Sequence, residues 1–177
     1  MDKCNERIGT LKLTEKQLTR FLLAEAIEKF RRLVVSHKKV KIVVSSRGGD
    51  TEGALLLTDL IRRAETASKE ICGFGYGEIS SAAALILVAC TKRVVKKDSR
   101  LMIHPVTICY PVSRLSEGNR LPNQVVAKGL QLQEKVEKLL VAKTKLTNGP
   151  IEAARCHKVW FTAEQALAFK MIDEIVD

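Results

Sequence analysis

Aromatic side chains are scarce: five phenylalanines, two tyrosines and one tryptophan make up 5% of 177 residues. No aromatic-basic interleaving resembles the stacking platform that holds unpaired bases. Long apolar runs are missing as well. The longest, residues 82–90, is about half of the roughly 20 residues needed to cross a bilayer, and it reads as a buried helix. The opening Met1-Asp2-Lys3-Cys4-Asn5-Glu6 lacks the apolar core of a secretory signal. The five cysteines (Cys4, Cys72, Cys90, Cys109, Cys156) contain no C-x-x-C pair, which excludes the usual zinc and redox spacings. Scattered, odd in number and read as reduced thiols, they suit a cytoplasmic location, with an organelle left open.

What is present is ordinary for a soluble globular chain, with 46% hydrophobic and 28% charged residues. Thirty lysines and arginines against twenty acidic residues give a net charge of +10, so a nucleic-acid partner has to be considered. The positive charges fall in short clusters, Arg31-Arg32, Lys38-Lys39, Arg62-Arg63, Lys92-Arg93 and Lys96-Lys97, each at the end of an apolar segment. They read as solvated faces, and nucleic-acid binding is not expected.

The elements alternate. Thr14-Glu15-Lys16-Gln17 has the form of a capping box. Behind it, Leu18, Phe21, Leu22, Ile27, Phe30, Leu33 and Val34 recur at helical spacing to about Ser36. A β-branched strand over 40–44 ends in Ser45-Ser46-Arg47-Gly48-Gly49, and a helix carrying Ala54, Leu55, Leu57, Leu60 and Ile61 closes on Arg62-Arg63. A strand over 71–74, a turn over 75–78, a helix over 81–90 and short strands over 93–95 and 101–103 follow. Residues 107–122 read as an irregular connection. A charged amphipathic helix over 124–146 is stopped by Asn148-Gly149-Pro150, and Thr162-Ala163-Glu164-Gln165 is a second capping box. The order predicts an α/β fold with parallel strands and helical crossovers, in a single domain spanning 1–177.

Three features carry chemistry together. Gly48-Gly49 after a buried strand lets the backbone approach a ligand. Ser81 falls between a strand and a buried helix, where the helix dipole favours an oxyanion, although serine there is also a common cap. His104 ends an apolar strand before Pro105.

In order and spacing, Ser46-Arg47-Gly48-Gly49, Gly77-Glu78-Ile79-Ser80-Ser81-Ala82-Ala83-Ala84 and Ser99-Arg100-Leu101-Met102-Ile103-His104-Pro105 resemble the motifs of the ClpP family of serine peptidases. The closing Trp160-Phe161-Thr162-Ala163-Glu164-Gln165-Ala166 through Met171-Ile172-Asp173 is similar to that family too, and the resemblance covers residues 8–177. It implies the ClpP/crotonase-like repeated β-β-α superhelix, with the helix over 124–146 as a protruding handle. It also implies Ser81 as nucleophile, His104 as general base, and the amides of Gly49 and Ala82 as oxyanion hole. The substrate would be a polypeptide, without metal or cofactor, and the chain a subunit of a homo-oligomeric ring, possibly of stacked rings.

The chain departs from the family in three places. Lys158 stands where the third, acidic member of the triad is expected, and it can neither accept the imidazole N–H nor favour an imidazolium. Glu152 or a neighbouring subunit's acid is then the candidate substitute, while nothing in the position of Lys158 supports it as the base itself. Arg47 replaces a proline and adds a cation beside the groove. The stretch before Ile8 is too short for the family's axial-pore loops, which weighs against docking on a hexameric AAA+ unfoldase. A non-catalytic partner subunit is therefore the main rival. An acyl-CoA enzyme on the related crotonase fold would leave Ser81 and His104 without a purpose.

Overall fold

The computed structural model describes residues 8–115 and 120–177. The reading of the first six residues, Cys4 included, lies outside them, as does part of the 107–122 connection. The chain folds as β1 (Gly9–Leu13), α1 (Arg20–Ser36), β2 (Lys39–Ser46), α2 (Thr51–Thr66), β3 (Glu70–Ser80), α3 (Ala82–Ala89), β4 (Lys92–Lys96), β5 (Arg100–Ile103), α4 (Asn123–Lys143), α5 (Asn148–Cys156), β6 (Val159–Thr162), α6 (Ala163–Ala168) and β7 (Glu174–Val176). The strands form one sheet in the order β1-β2-β3-β4-β7, all parallel. β5 pairs in parallel with the far end of β3 and carries the antiparallel β6 on its other side. This is the α/β arrangement of parallel strands and helical crossovers that the sequence predicts.

Local chemistry accounts for the main elements. Along β2 every second residue is buried, which places Val40, Ile42 and Val44 on the covered face. The Asp50 carboxylate caps α2 by accepting from the Gly53 amide at 3.1 Å, and Ala54, Leu57, Ile61 and Ala64 recur on its inner face. All eight residues of α3 are buried, and the helix packs against α2, α4 and the sheet. A helix apolar on every side has to sit in the middle of the core. At Thr162 the capping box closes in both directions, Gln165 N to Thr162 Oγ1 at 3.3 Å and Thr162 N to Gln165 Oε1 at 2.9 Å.

Several expectations need correction. The box at Thr14-Glu15-Lys16-Gln17 does not form; α1 is capped by Thr19, whose hydroxyl accepts from Leu22 N at 3.3 Å. Residues 16–18 instead lie across the end of β2, where Arg47 N donates to Lys16 O (3.1 Å), Leu18 N to Gly48 O (2.8 Å) and Asp50 N to Leu18 O (2.9 Å). Those tertiary bonds, with Leu18 buried between them, outweigh a local cap. No turn interrupts 75–78: β3 runs unbroken for 11 residues, and the glycines serve a register shift opposite Val44 and Ser46. Asn148-Gly149-Pro150 does not stop α4, which ends at Lys143 with Thr144 as its cap; it opens α5 instead.

Arg93 is not on a solvated face. It is buried, and its Nε and Nη2 donate to Asp173 at 2.9 and 2.6 Å while Nη1 donates to Lys143 O at 2.8 Å. The Arg93 amide also donates to the same carboxylate at 2.9 Å, so this pair ties β4 to the start of β7 and to the end of α4. The Arg93 guanidinium holds the Asp173 carboxyl below the usual carboxylate range, against the opposing effect of burial. Its stabilisation is therefore complete above the unfolded carboxyl pKa of about 3.9 and is lost as pH falls through the lower, folded value. Asp173→Ala, which strands the guanidinium, is expected to cost about 3 kcal/mol near neutral pH in urea unfolding, with the difference shrinking below about pH 4. An unchanged unfolding midpoint near neutral pH would show that this pair does not lock β4 to β7.

Candidate active site

The site begins where β3 ends. Residues 72–75 of β3 pair with β4, and residues 78–80 pair with β5. The Ser81 amide extends the second ladder by donating to Met102 O at 2.7 Å, and α3 starts at the very next residue. To turn that sharply Ser81 adopts φ 55°, ψ −125°, a positive φ that is uncommon for any residue but glycine. Ser81 holds the N-cap position of α3, yet its side chain makes no hydrogen bond to the helix, so the hydroxyl is not spent on capping. Ser80 is different: it is fully buried, and its hydroxyl donates to Glu78 Oε1 at 3.0 Å.

Gly48 fits against this turn. A Cβ there would lie 2.5 Å from Ser80 O, 2.8 Å from Ser81 Cβ and 2.9 Å from Ala82 N, and its φ is +86°. Gly49 is just as confined on its other side, where a Cβ would come 2.1 Å from Leu18 O. Among the described residues neither the Gly49 nor the Ala82 amide has an acceptor, although Ala82 is buried at the head of α3.

His104 follows directly on β5, whose pairing with β3 carries it to the same end of the sheet. Ser81 and His104 border one cleft of about 500 Å³, together with Lys16, Gln17, Arg47, Gly48, Gly49, Thr51 and Thr107. The two also border a narrow recess beside it, lined by Leu85, Val136, Leu140 and Ile151 with Gln133 and Glu137 at its polar side. No hydrogen bond joins the Ser81 hydroxyl to the imidazole. The ring is held from its other nitrogen, with Nδ1 2.6 Å from the carbonyl oxygen of Pro105. A carbonyl only accepts, so this contact requires a proton on Nδ1, and in the neutral ring that leaves the lone pair on Nε2.

The family model described as Clp protease matches residues 15–177. The chain belongs to the Clp protease family. ATP-dependent Clp protease proteolytic subunit 2 of Treponema denticola is 26% identical over 166 residues, covering 92% of this chain and 75% of that protein. The subunit of the same name in Pseudomonas aeruginosa is 25% identical over 146 residues, covering 80% and 68%. Among solved structures, a ClpP1 mutant from Listeria monocytogenes superposes with a TM-score of 0.76 at 19% identity, covering 95% of this chain and 91% of that one. A peptidase from Plasmodium falciparum gives 0.74 at 16%, covering 95% of each.

Ile103 pairs with Val159 between β5 and β6, so the same register carried one step further sets Lys158 across from His104. Lys158 is exposed and borders neither the cleft nor the recess. Glu152 is exposed on α5, and no bond joins it to His104. Arg47 does border the cleft, where its Nε donates to Glu78 Oε2 at 3.2 Å.

The carboxylate that shares the recess with His104 is one that sequence reasoning missed. Glu137 lines the recess with His104 and is held by Arg155 at 2.8 and 2.6 Å. That guanidinium, and less strongly the Gln133 amide, keeps the Glu137 carboxyl below its ordinary range despite partial burial. The signal was available: residues 133, 136, 137 and 140 share one face of a helix, and two of them are polar on a face that is otherwise apolar.

Gly48→Ala places a methyl group against Ser80, Ser81 and Ala82 at a φ that alanine avoids. It is expected to destabilise the fold by about 2 kcal/mol or more, read as a lowered denaturation midpoint. Wild-type stability in that variant would mean that the glycine does not fit against the Ser81 turn as described.

Proposed function

We propose that this protein is a serine endopeptidase subunit in which Ser81 attacks a peptide carbonyl with His104 as general base. The observation that carries the reading is the pairing, on one cleft, of an unbonded, strained serine with an imidazole whose proton is held on the far nitrogen. In that tautomer Nε2 can take the hydroxyl proton as Ser81 Oγ bonds to the carbonyl carbon. The same proton then passes to the leaving amine as the C–N bond breaks, leaving an acyl ester on Ser81. Water hydrolyses the ester by the same steps. The free amides of Gly49 and Ala82 are the candidate donors to the oxyanion, each worth on the order of 3 kcal/mol in the transition state. No step calls for a metal or a cofactor.

The apolar recess formed by Leu85, Val136, Leu140 and Ile151 suits an apolar side chain next to the scissile bond. An unfolded polypeptide satisfies such a site, because its side chains and backbone are both free to enter. Exposed Val126, Leu130 and Val141 on α4 support assembly through the handle into a ring or stacked rings; the reading carries with it a cytoplasmic setting and a single domain over 1–177. Among the described residues no helix is long and apolar enough to cross a membrane.

A second reading rests on Lys158, which the strand register sets across from His104 in place of an acid. It makes the chain a non-catalytic partner in a mixed ring.

A fluorophosphonate probe separates the two. The peptidase reading expects covalent labelling of the wild type, abolished in Ser81→Ala and retained in Ser80→Ala. An unlabelled wild type that co-purifies with a labelled paralogue would favour the partner subunit, and labelling that persists in Ser81→Ala would show that another residue is the nucleophile.

A further inference from the structure

The missing acid leaves the imidazole without the partner that usually selects its tautomer, yet the His104 ring is not free. Its Nδ1 contacts the Pro105 carbonyl at 2.6 Å, and the Thr107 hydroxyl adds a long donation to the same oxygen at 3.4 Å. The amide on the other edge of that peptide unit, Val106 N–H, donates to Gln133 Oε1 on α4 at 2.8 Å. Gln133 Nε2 donates to Glu137 Oε1 at 2.9 Å, and Glu137 is gripped by Arg155 from α5. A peptide unit is planar, so fixing its N–H fixes the direction of its C=O. Hydrogen bonds in series also polarise one another, and a chain ending on a carboxylate strengthens every acceptor before it.

We propose that Gln133 and Glu137 are positioning residues that orient His104 through the Pro105–Val106 peptide, taking the place of the acid absent at Lys158. This rests on the reading of His104 as general base. Glu137 never touches the ring: its charge is felt through Gln133 and one main-chain peptide, and Arg155 keeps that charge ionised and in place. The relay does what the aspartate of a serine-protease triad does, holding the proton on Nδ1 so that Nε2 faces the nucleophile; loss of that role by wrong tautomer costs about 10⁴ in turnover in the template case. A backbone carbonyl is a weaker acceptor than a carboxylate, and the relay compensates in part by polarisation and in part by rigidity.

The test uses the full chain and does not depend on activity alone. Nitrogen-15 NMR of the histidine rings, with His104 assigned by the signal lost in His104→Gln, reads the tautomer at a pH where the ring is neutral. The wild type is expected to show Nδ1 protonated and Nε2 bare. Gln133→Met keeps the volume of the side chain but leaves Val106 N–H without its acceptor. That variant should shift His104 toward the Nε2–H form and lower kcat by about tenfold to a hundredfold, the range seen when an outer-shell partner of a functional histidine is lost, with KM little changed. The exchange Gln133→Glu with Glu137→Gln, which again offers Val106 an oxygen, should restore the tautomer. A wild-type ring carrying its proton on Nε2, or a Gln133→Met ring unchanged from wild type, would overturn the relay. A tautomer that responds as expected in a protein whose Ser81 takes no fluorophosphonate would uphold the relay and sink the peptidase reading instead.

Discussion

One strand serving two neighbours is the constraint on which the site depends. β3 pairs with β4 along residues 72–75, then with β5 along residues 78–80, and the Ser81 amide prolongs the second ladder onto Met102. Because β5 leads straight into His104, the bond that ends the β3 ladder also brings the serine and the histidine to one end of the sheet. The glycines at 73, 75 and 77 make the exchange of partners feasible. A Cβ at Gly73 would press on Leu87 and Cys90, one at Gly75 on Ile79 and Val95, and Gly77 takes a positive φ. The strain at Ser81 is the local consequence of this geometry, and the fully buried α3 behind it keeps the turn from relaxing.

The site's electrostatics follow from the same layout. Gly48 allows the wall of the cleft to approach the head of α3, and the extended crossing of residues 16–18 over β2 holds that wall in position. On the opposite side, α4 and α5 bring Gln133, Glu137 and Arg155 to the peptide that follows His104. Charge at Lys158 stays outside this enclosure, exposed beyond the cleft. On the proposed reading, the orientation of His104 thus falls to main-chain and amide groups, with a lysine at position 158.

Much of this was legible in the sequence, and the parts that were not have physical reasons. The serine, the histidine and the paired glycines could be placed because each sits at a strand end, where alternation stops and the residue type changes. The Thr162 capping box could be read because both of its partners are local. Thr14 misled because Arg47, Gly48 and Asp50, some thirty residues further on, claim the backbone groups of 16–18, and no local pattern shows that. Lys92-Arg93 looked like a surface cluster; only the topology that lays β7 beside β4 brings Asp173 to the second of the two. The relay to His104 joins side chains on α4 and α5 to a loop carbonyl, so spacing alone could not disclose it.

The most direct test of the central claim is a crystal structure of the protein after reaction with a fluorophosphonate. The account predicts phosphorus bonded to Ser81 Oγ, a phosphonyl oxygen about 3 Å from the amides of Gly49 and Ala82, and His104 Nε2 turned toward the adduct while Nδ1 stays on the Pro105 carbonyl. An adduct on another residue, or a phosphonyl oxygen directed to solvent with His104 turned away, would contradict it.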